Sequence, residues 1–331
     1  MTGGRAVPPV EVVEDVEVVE YTDPLCPWAW GSEPVFRGLR TALAGRVRWR
    51  RVFCILFDHD DDPAPDPAAE TAWYTRYVEG IAGHTRAPRA LRLSRVAASS
   101  WPSSLVAKAA ELQGPEVADR VLRRLRETVF VLGEPADTLG AALDAATGVP
   151  GLDTRRLAAD AASAAVLDGV RADHAEARRP VPEVLPDALS EALSDTPSDT
   201  PSGALSGALS VPGGSPHPGT ARETPDGGHR YALPTLVVCG AGGRRVVPGW
   251  RPYEVYATAV GAFCPGLPTA PQALSGAVAL ARYHSLTEPE RALLTRGAWP
   301  PPDAVRVETA GGPLWLDPEE ASTHPATRPT P

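Results

Sequence analysis

β-Branched residues interleaved with acidic ones fill DVEVVEY, residues 15–21, a short run that stops at the turn Asp23-Pro24, which predicts a strand. The pattern then changes. In WAWGSEPVFRGLRTALAG, ending at Gly45, apolar side chains recur at three- and four-residue intervals, a helix with a glycine stop. VRWRRVFCILF, residues 47–57, alternates at first and then becomes continuously apolar, as a strand covered on both faces does. Strand, turn, helix, strand is a βαβ unit, and its turn carries Cys26.

After the acidic, proline-punctuated loop DHDDDPAPDPAAE (58–70), the period is helical throughout. SSLVAKAAELQG closes on Gly114, and PEVADRVLRRLRETVFVLG enters with Pro115 and leaves with Gly133. ADTLGAALDAATG follows, then LDTRRLAADAASAAVLDGVRADHAEARR, capped by Asp153 or Thr154 and broken near its middle. The Ser-, Pro- and Gly-rich stretch 188–229, with the tandem repeats SDTP and SGAL, cannot bury enough apolar surface to offset its ordering entropy and reads as a disordered insertion. Structure resumes with YALPTLVVCG and RRVVPGW, a hairpin turning at Gly240 to Gly243, and the helical PYEVYATAVGAF. Beyond them, Thr287 and Glu290 form a capping box for a short helix, AVRVETAGGPLWLDP turns as a hairpin at Gly311-Gly312, and STHPATRPTP reads as frayed.

The expected organisation is therefore an α/β core in two halves, 1–62 and 230–264, with an all-helical domain inserted at 63–187. The insertion at 188–229 and a C-terminal extension of helix and hairpin at 265–331 complete it. Composition narrows the setting. A formal net charge of -9 argues against a nucleic-acid partner. No apolar run is long enough to span a bilayer, and the acidic N-terminus is no signal peptide, so a cytoplasmic location with no membrane partner is expected.

The cysteines stand at 26, 54, 239 and 264, with no C-x-x-C among them, which fits neither a disulfide framework nor a zinc site. Cys54 and Cys239 lie in strand-like runs and Cys264 follows a helix, places where cysteine acts as a small hydrophobe. Cys26 differs. At the first turn of a helix its sulfur meets unpaired backbone N–H groups and the positive end of the helix dipole, and such sites lower a thiol pKa from about 8.5 to between roughly 3.5 and 7.5. Pro27 suits the first helical position, and Trp28 is expected to stand exposed beside the sulfur as an apolar wall.

DPLCPWAWG, the helical block, LPTLVV and GWRPYEVYATAV, in that order, resemble the DsbA-type branch of the thioredoxin superfamily. The likeness is to FrnE-like dithiol-disulfide isomerases and 2-hydroxychromene-2-carboxylate isomerase-like proteins, over roughly 15–180 and 230–262. The resemblance implies a thioredoxin-like fold in which Pro234 is cis and packs against the Cys26 turn. It also implies that Leu233, Pro234 and Thr235 present the substrate-docking edge, where Leu233 offers its N–H and C=O to an extended substrate.

This sequence departs from the dithiol pattern at Ala29, where the second cysteine would stand, so a self-contained dithiol cycle through this motif is excluded. Three uses of Cys26 remain: thiol-disulfide exchange as a monothiol resolved by an external low-molecular-weight thiol, service as a redox-inactive adaptor that presents a client to a partner, or thiol-cofactor-dependent isomerase or transferase chemistry. The first is the reading carried forward. Its partner is a protein or small-molecule thiol or disulfide, with no metal and no tightly bound cofactor; the oligomeric state stays open.

Other candidates read as structural. The carboxylates and His59 of the 58–62 run are a solvated loop rather than a metal site. Trp73, Tyr74 and Tyr77 at helical spacing read as core, with a cleft wall as the alternative. Arg120, Arg123, Arg124 and Arg126, interleaved with Glu116, Asp119 and Glu127, read as a salt-bridged surface. His84 and His174 have no partner at catalytic spacing.

Overall fold

The computed structural model describes residues 16–58, 64–186, 215–217 and 219–328. The opening unit is β1 (Glu17–Thr22), α1 (Pro27–Leu43) and β2 (Arg48–Phe53), and the crossover through α1 makes β1 and β2 parallel. A helical block follows: α2 (Pro67–Thr85), α3 (Trp101–Glu111), α4 (Pro115–Phe130), α5 (Leu139–Ala146), α6 (Thr154–Ala161) and α7 (Ala164–Ala177). The expected break in the last segment falls at Ala162-Ser163, between α6, which Asp153 caps, and α7, which Ser163 caps.

Two short strands, β3 (Arg222–Glu223) and β4 (His229–Arg230), precede β5 (Thr235–Gly240), β6 (Gly243–Pro248) and α8 (Tyr253–Gly261). β5 lies antiparallel against β1, with Tyr21 opposite Thr235, and the sheet order is β2-β1-β5-β6. The two halves thus share one sheet, and the helices between them pack beside it. One face carries α1 and α8, where Phe36, Leu39, Leu236, Val238 and Tyr256 are buried together. Each such side chain contributes about 1.5–3 kcal/mol. The other face holds Val19, Tyr21, Cys26, Val52, Cys54, Leu233 and Val237 beneath α7. Gly31 in α1 is what lets α2 approach, since a Cβ there would fall 2.5 Å from the Thr85 methyl carbon.

The C-terminal part is more than an appendage. It contains β7 (Leu274–Ser275), α9 (Gly276–Tyr283), β8 (Ser285–Thr287), α10 (Glu288–Leu294), β9 (Thr295–Arg296), β10 (Val305–Val307), β11 (Leu314–Leu316) and α11 (Pro318–Thr323). β10, β11 and β8 form a three-stranded antiparallel sheet, the expected hairpin included, and the Thr287–Glu290 capping box is present.

Three expectations are corrected. Arg123, Arg124 and Arg126 are buried rather than on a surface, because other elements bring carboxylates to them: Glu290 for Arg123, which Glu127 of the same helix also meets, Glu320 for Arg124 and Glu33 for Arg126. The tail is anchored as far as His324, which is fully buried with Nε2 3.0 Å from Glu127. The 188–229 stretch holds order at its end. Residues 187–214 and 218 lie outside the described residues, but Ser215 and His217 are buried and β3 and β4 pair around the Asp226-Gly227 turn.

Candidate functional site

The turn after β1 is fixed from beneath by Asp23. Its buried carboxylate accepts the amide N–H groups of Leu25 and Leu56, both at 2.7 Å, and the Ser100 hydroxyl at 3.1 Å. This ties the Cys26 turn to the exit of β2 and the start of α3. Cys26 is the N-cap of α1, extended in backbone, and its carbonyl accepts the Trp30 N–H at 3.0 Å while Pro27 fills the first helical position. Its sulfur lies 4.0 Å from the carbonyl oxygen of Leu233, 207 residues away in sequence. The Leu233–Pro234 peptide is cis, and the Pro234 carbonyl accepts the Gly249 N–H at 2.7 Å.

The expected electrostatics are half present. The amide groups of Ala29 and Trp28 do point at the sulfur and favour thiolate, but burial outweighs them. Only 3% of Cys26 is exposed, and burial pushes its thiol up to about 11, with the Asp23 charge pushing the same way. The Leu233 carbonyl facing the sulfur also suits a thiol donor rather than an anion. The expectation of a low-pKa, exposed thiolate is therefore corrected: at neutral pH this site holds a protonated thiol.

Trp28 is half-buried rather than exposed. Its indole N–H donates to the Tyr77 hydroxyl at 3.3 Å, and its ring meets His217 edge-on with centroids 5.0 Å apart. His217 is the neighbour that sequence reasoning missed. Its Nδ1 accepts the Gly219 N–H at 3.0 Å, so Nε2 carries the proton and donates to the Leu233 carbonyl at 2.9 Å. Burial, with the charges of Arg222 and Arg251, lowers its pKa to about 4 and keeps it neutral. The Leu233 N–H makes no hydrogen bond among the described residues.

Before this group opens a cavity of about 930 Å³. Cys26, Pro27, Trp28 and Leu233 line it, as do Trp73, Tyr74 and Tyr77 of α2. The reading of those aromatics as core is corrected for two of the three: Trp73 is 58% exposed and Tyr77 42%, their rings stacked parallel at 5.7 Å. Thr235 does not belong to the docking edge, because its fully buried hydroxyl donates to the Ala232 carbonyl at 2.7 Å. His174 is not without a partner; its Nε2 lies 3.0 Å from Asp58, which Arg178 also meets at 3.0 Å. His84 sits edge-on to Trp250 at 4.5 Å. Residues 59–63 of the acidic run lie outside the described residues.

Among the described residues, Glu127, Glu320 and His324 are close enough together to share a cation. The guanidiniums of Arg123 and Arg124 already supply positive charge to both carboxylates there, so ion pairing accounts for the cluster. Among the described residues, no helix is long and apolar enough to cross a membrane.

One sheet of order β2-β1-β5-β6, a helical block between its halves and a cysteine turn facing Leu233-Pro234 make up a thioredoxin-like α/β fold with an inserted helical block, the fold class expected from the sequence. Residues 20–179, from β1 to just beyond α7, match the family model described as Thioredoxin. In sequence the chain is similar to the ClpXP adapter protein SpxH of Shouchella clausii, 31% identical over 161 residues, which is 48% of this chain and 52% of that protein. It is also similar to SpxH of Halalkalibacterium halodurans, 29% identical over 121 residues, 35% of this chain and 39% of that one. The chain thus spans about half the length of the curated relatives it matches, or less. In structure it is similar to a crystal structure described as a "putative protein disulfide isomerase" from Nitrosomonas europaea. The TM-score is 0.51 at 14% identity, covering 75% of this chain and 97% of that one, a likeness of fold alone.

Proposed function

We propose that this chain is a binding protein of the adaptor kind, whose cleft takes up an extended segment of a client polypeptide, with Cys26 serving as part of the wall rather than as an obligatory redox centre. The observation that carries this reading is the state of the sulfur. It is buried, protonated at neutral pH with a pKa of about 11, and followed by Ala29 where a resolving thiol would stand. The cleft itself suits a peptide: an aromatic wall from Trp73 and Tyr77 on one side, and Leu233, whose backbone can pair with an added strand, on the other. The similarity to proteins named as ClpXP adapters points the same way.

A second reading keeps a specific observation in its favour: the amides of Trp28 and Ala29 point at a sulfur that lines the cavity. In that reading the Cys26 thiolate attacks a disulfide sulfur of the substrate, forming a mixed disulfide and releasing the other sulfur as a thiolate. An external low-molecular-weight thiol then attacks the mixed disulfide, frees Cys26 and leaves with the substrate sulfur.

Peptide-resolved mass spectrometry of iodoacetamide labelling against pH separates the two. The adaptor reading expects the Cys26 rate to climb with an inflection near pH 11. An inflection below about 8 would mark a tuned nucleophile and transfer the function to monothiol exchange. Cys26→Ser is expected to retain full client binding.

A further inference from the structure

The β3–β4 hairpin places Arg222 directly opposite Arg230 in register, and both line the cavity beside Cys26 and His217. Like charges directly opposite one another on an antiparallel pair destabilise it. Elsewhere the fold answers such charge with carboxylates, but neither of these guanidiniums has a carboxylate partner among the described residues. Among the described residues the Arg230 guanidinium donates only to the Tyr231 carbonyl, at 3.2 Å. The remaining charged groups on the cavity do not neutralise them: Arg95 and Asp137 are spent on each other, and Glu70 belongs to the first turn of α2. The Arg222 charge bears on Tyr77 and His217, and that of Arg230 on Asp23 and Cys26, so both lie at the docking-edge end. In a chain of net charge -9 this is a local positive spot.

We propose that the cleft selects acidic polypeptide segments: a client carboxylate is taken between Arg222 and Arg230 while the client main chain replaces His217 at the Leu233 carbonyl. This rests on the client-binding reading and names its ligand class. Two arginines facing one another suit bidentate capture of a carboxylate. The aromatic wall suits an apolar side chain beside the acidic one, and the Leu233 backbone suits an extended chain. His217 is the chain's own occupant of that edge. It and Arg222 lie on the same stretch leading into β3, so the client competes with a donor already seated.

The test is fluorescence anisotropy with a labelled octapeptide that alternates Glu with Leu, Tyr and Val, and with its counterpart bearing Gln at every Glu. The acidic peptide is expected to bind about tenfold more tightly at low salt, the worth of one charged hydrogen-bonded pair. That advantage should vanish in Arg222→Glu, an exposed site whose substitution leaves the fold intact by thermal melting, and in about 0.5 M salt. His217→Ala should tighten both peptides several-fold. Equal affinity for the two peptides would overturn the acidic selectivity while leaving the client-binding reading in place. If neither peptide binds and reduced glutathione instead shields Cys26 from alkylation, both fall.

Discussion

Arginines occupy two regions of this molecule and do opposite things in them. On α4, Arg123, Arg124 and Arg126 are buried and each is met by a carboxylate, Arg123 by Glu290 at 2.9 and 3.0 Å and by Glu127 at 2.6 Å. At the cleft, Arg222 and Arg230 face each other and no carboxylate meets them among the described residues. The first set joins three parts of the chain, since Glu33 comes from α1 and Glu290 and Glu320 come from the C-terminal part. The second leaves charge available at a cavity. Where a buried guanidinium is ion-paired it fixes architecture; where it is left without a carboxylate it can recognise something from outside.

The sharpest way to break the comparison is at Glu127. Replacing it with alanine strips a partner from Arg123, from the Ser285 hydroxyl at 2.7 Å and from His324 at 3.0 Å, and leaves buried charge uncompensated. Urea denaturation should show a loss of about 3–5 kcal/mol. A loss below about 1 kcal/mol would mean that the network is not what holds the parts together.

Acid should find the same weakness. The neighbouring guanidiniums hold the Glu33 and Glu127 carboxyls well below the usual range despite their burial. A depressed folded pKa contributes stability that is fully present above the unfolded value of about 4.3 and is lost as pH falls towards the folded one. Stability should therefore be level near neutrality and drop steeply below about pH 4, with a shallower drop in Glu33→Gln. A profile whose slope is the same in both proteins would remove Glu33 from the account. At the cleft the expectation is the reverse. Arg222→Glu should not lower the unfolding free energy and should raise it by at most about 1 kcal/mol, because among the described residues no ion pair is lost and Glu opposite Arg230 replaces a like-charge pair. A loss would reveal that this arginine is structural.

Periodicity carried most of the fold. β1 read directly from its β-branched run, α1 and β2 from a switch between three-to-four- and two-residue spacing, and the helical block from proline entries and glycine exits. Cys26 and Leu233 were legible as a pair only through their motifs, since they are 207 residues apart. The α4 arginines were misplaced because their own helix offered Glu116, Asp119 and Glu127 at local spacing. Most of the carboxylates that bury them come from remote elements that no local pattern reveals.

His217, Arg222 and Arg230 were hidden by composition. The repeats before them set the character of the whole stretch, and a few ordered residues at its end do not change an average. The Asp226-Gly227 step between ARE and GHRY was the available signal, since that dipeptide marks a tight hairpin. Burial of Cys26 was invisible for a related reason, because His217, which packs over Trp28 beside it, comes from that stretch.

The pairing of Arg124 with Glu320 also sets an order of events during synthesis. The α4 guanidinium leaves the ribosome 196 residues ahead of the carboxylate that answers it, and among the described residues no other carboxylate meets it. The helical block then lacks this partner until the chain has been made through Glu320. A nascent chain stalled short of residue 320 should be far easier prey for proteases than the 331-residue chain.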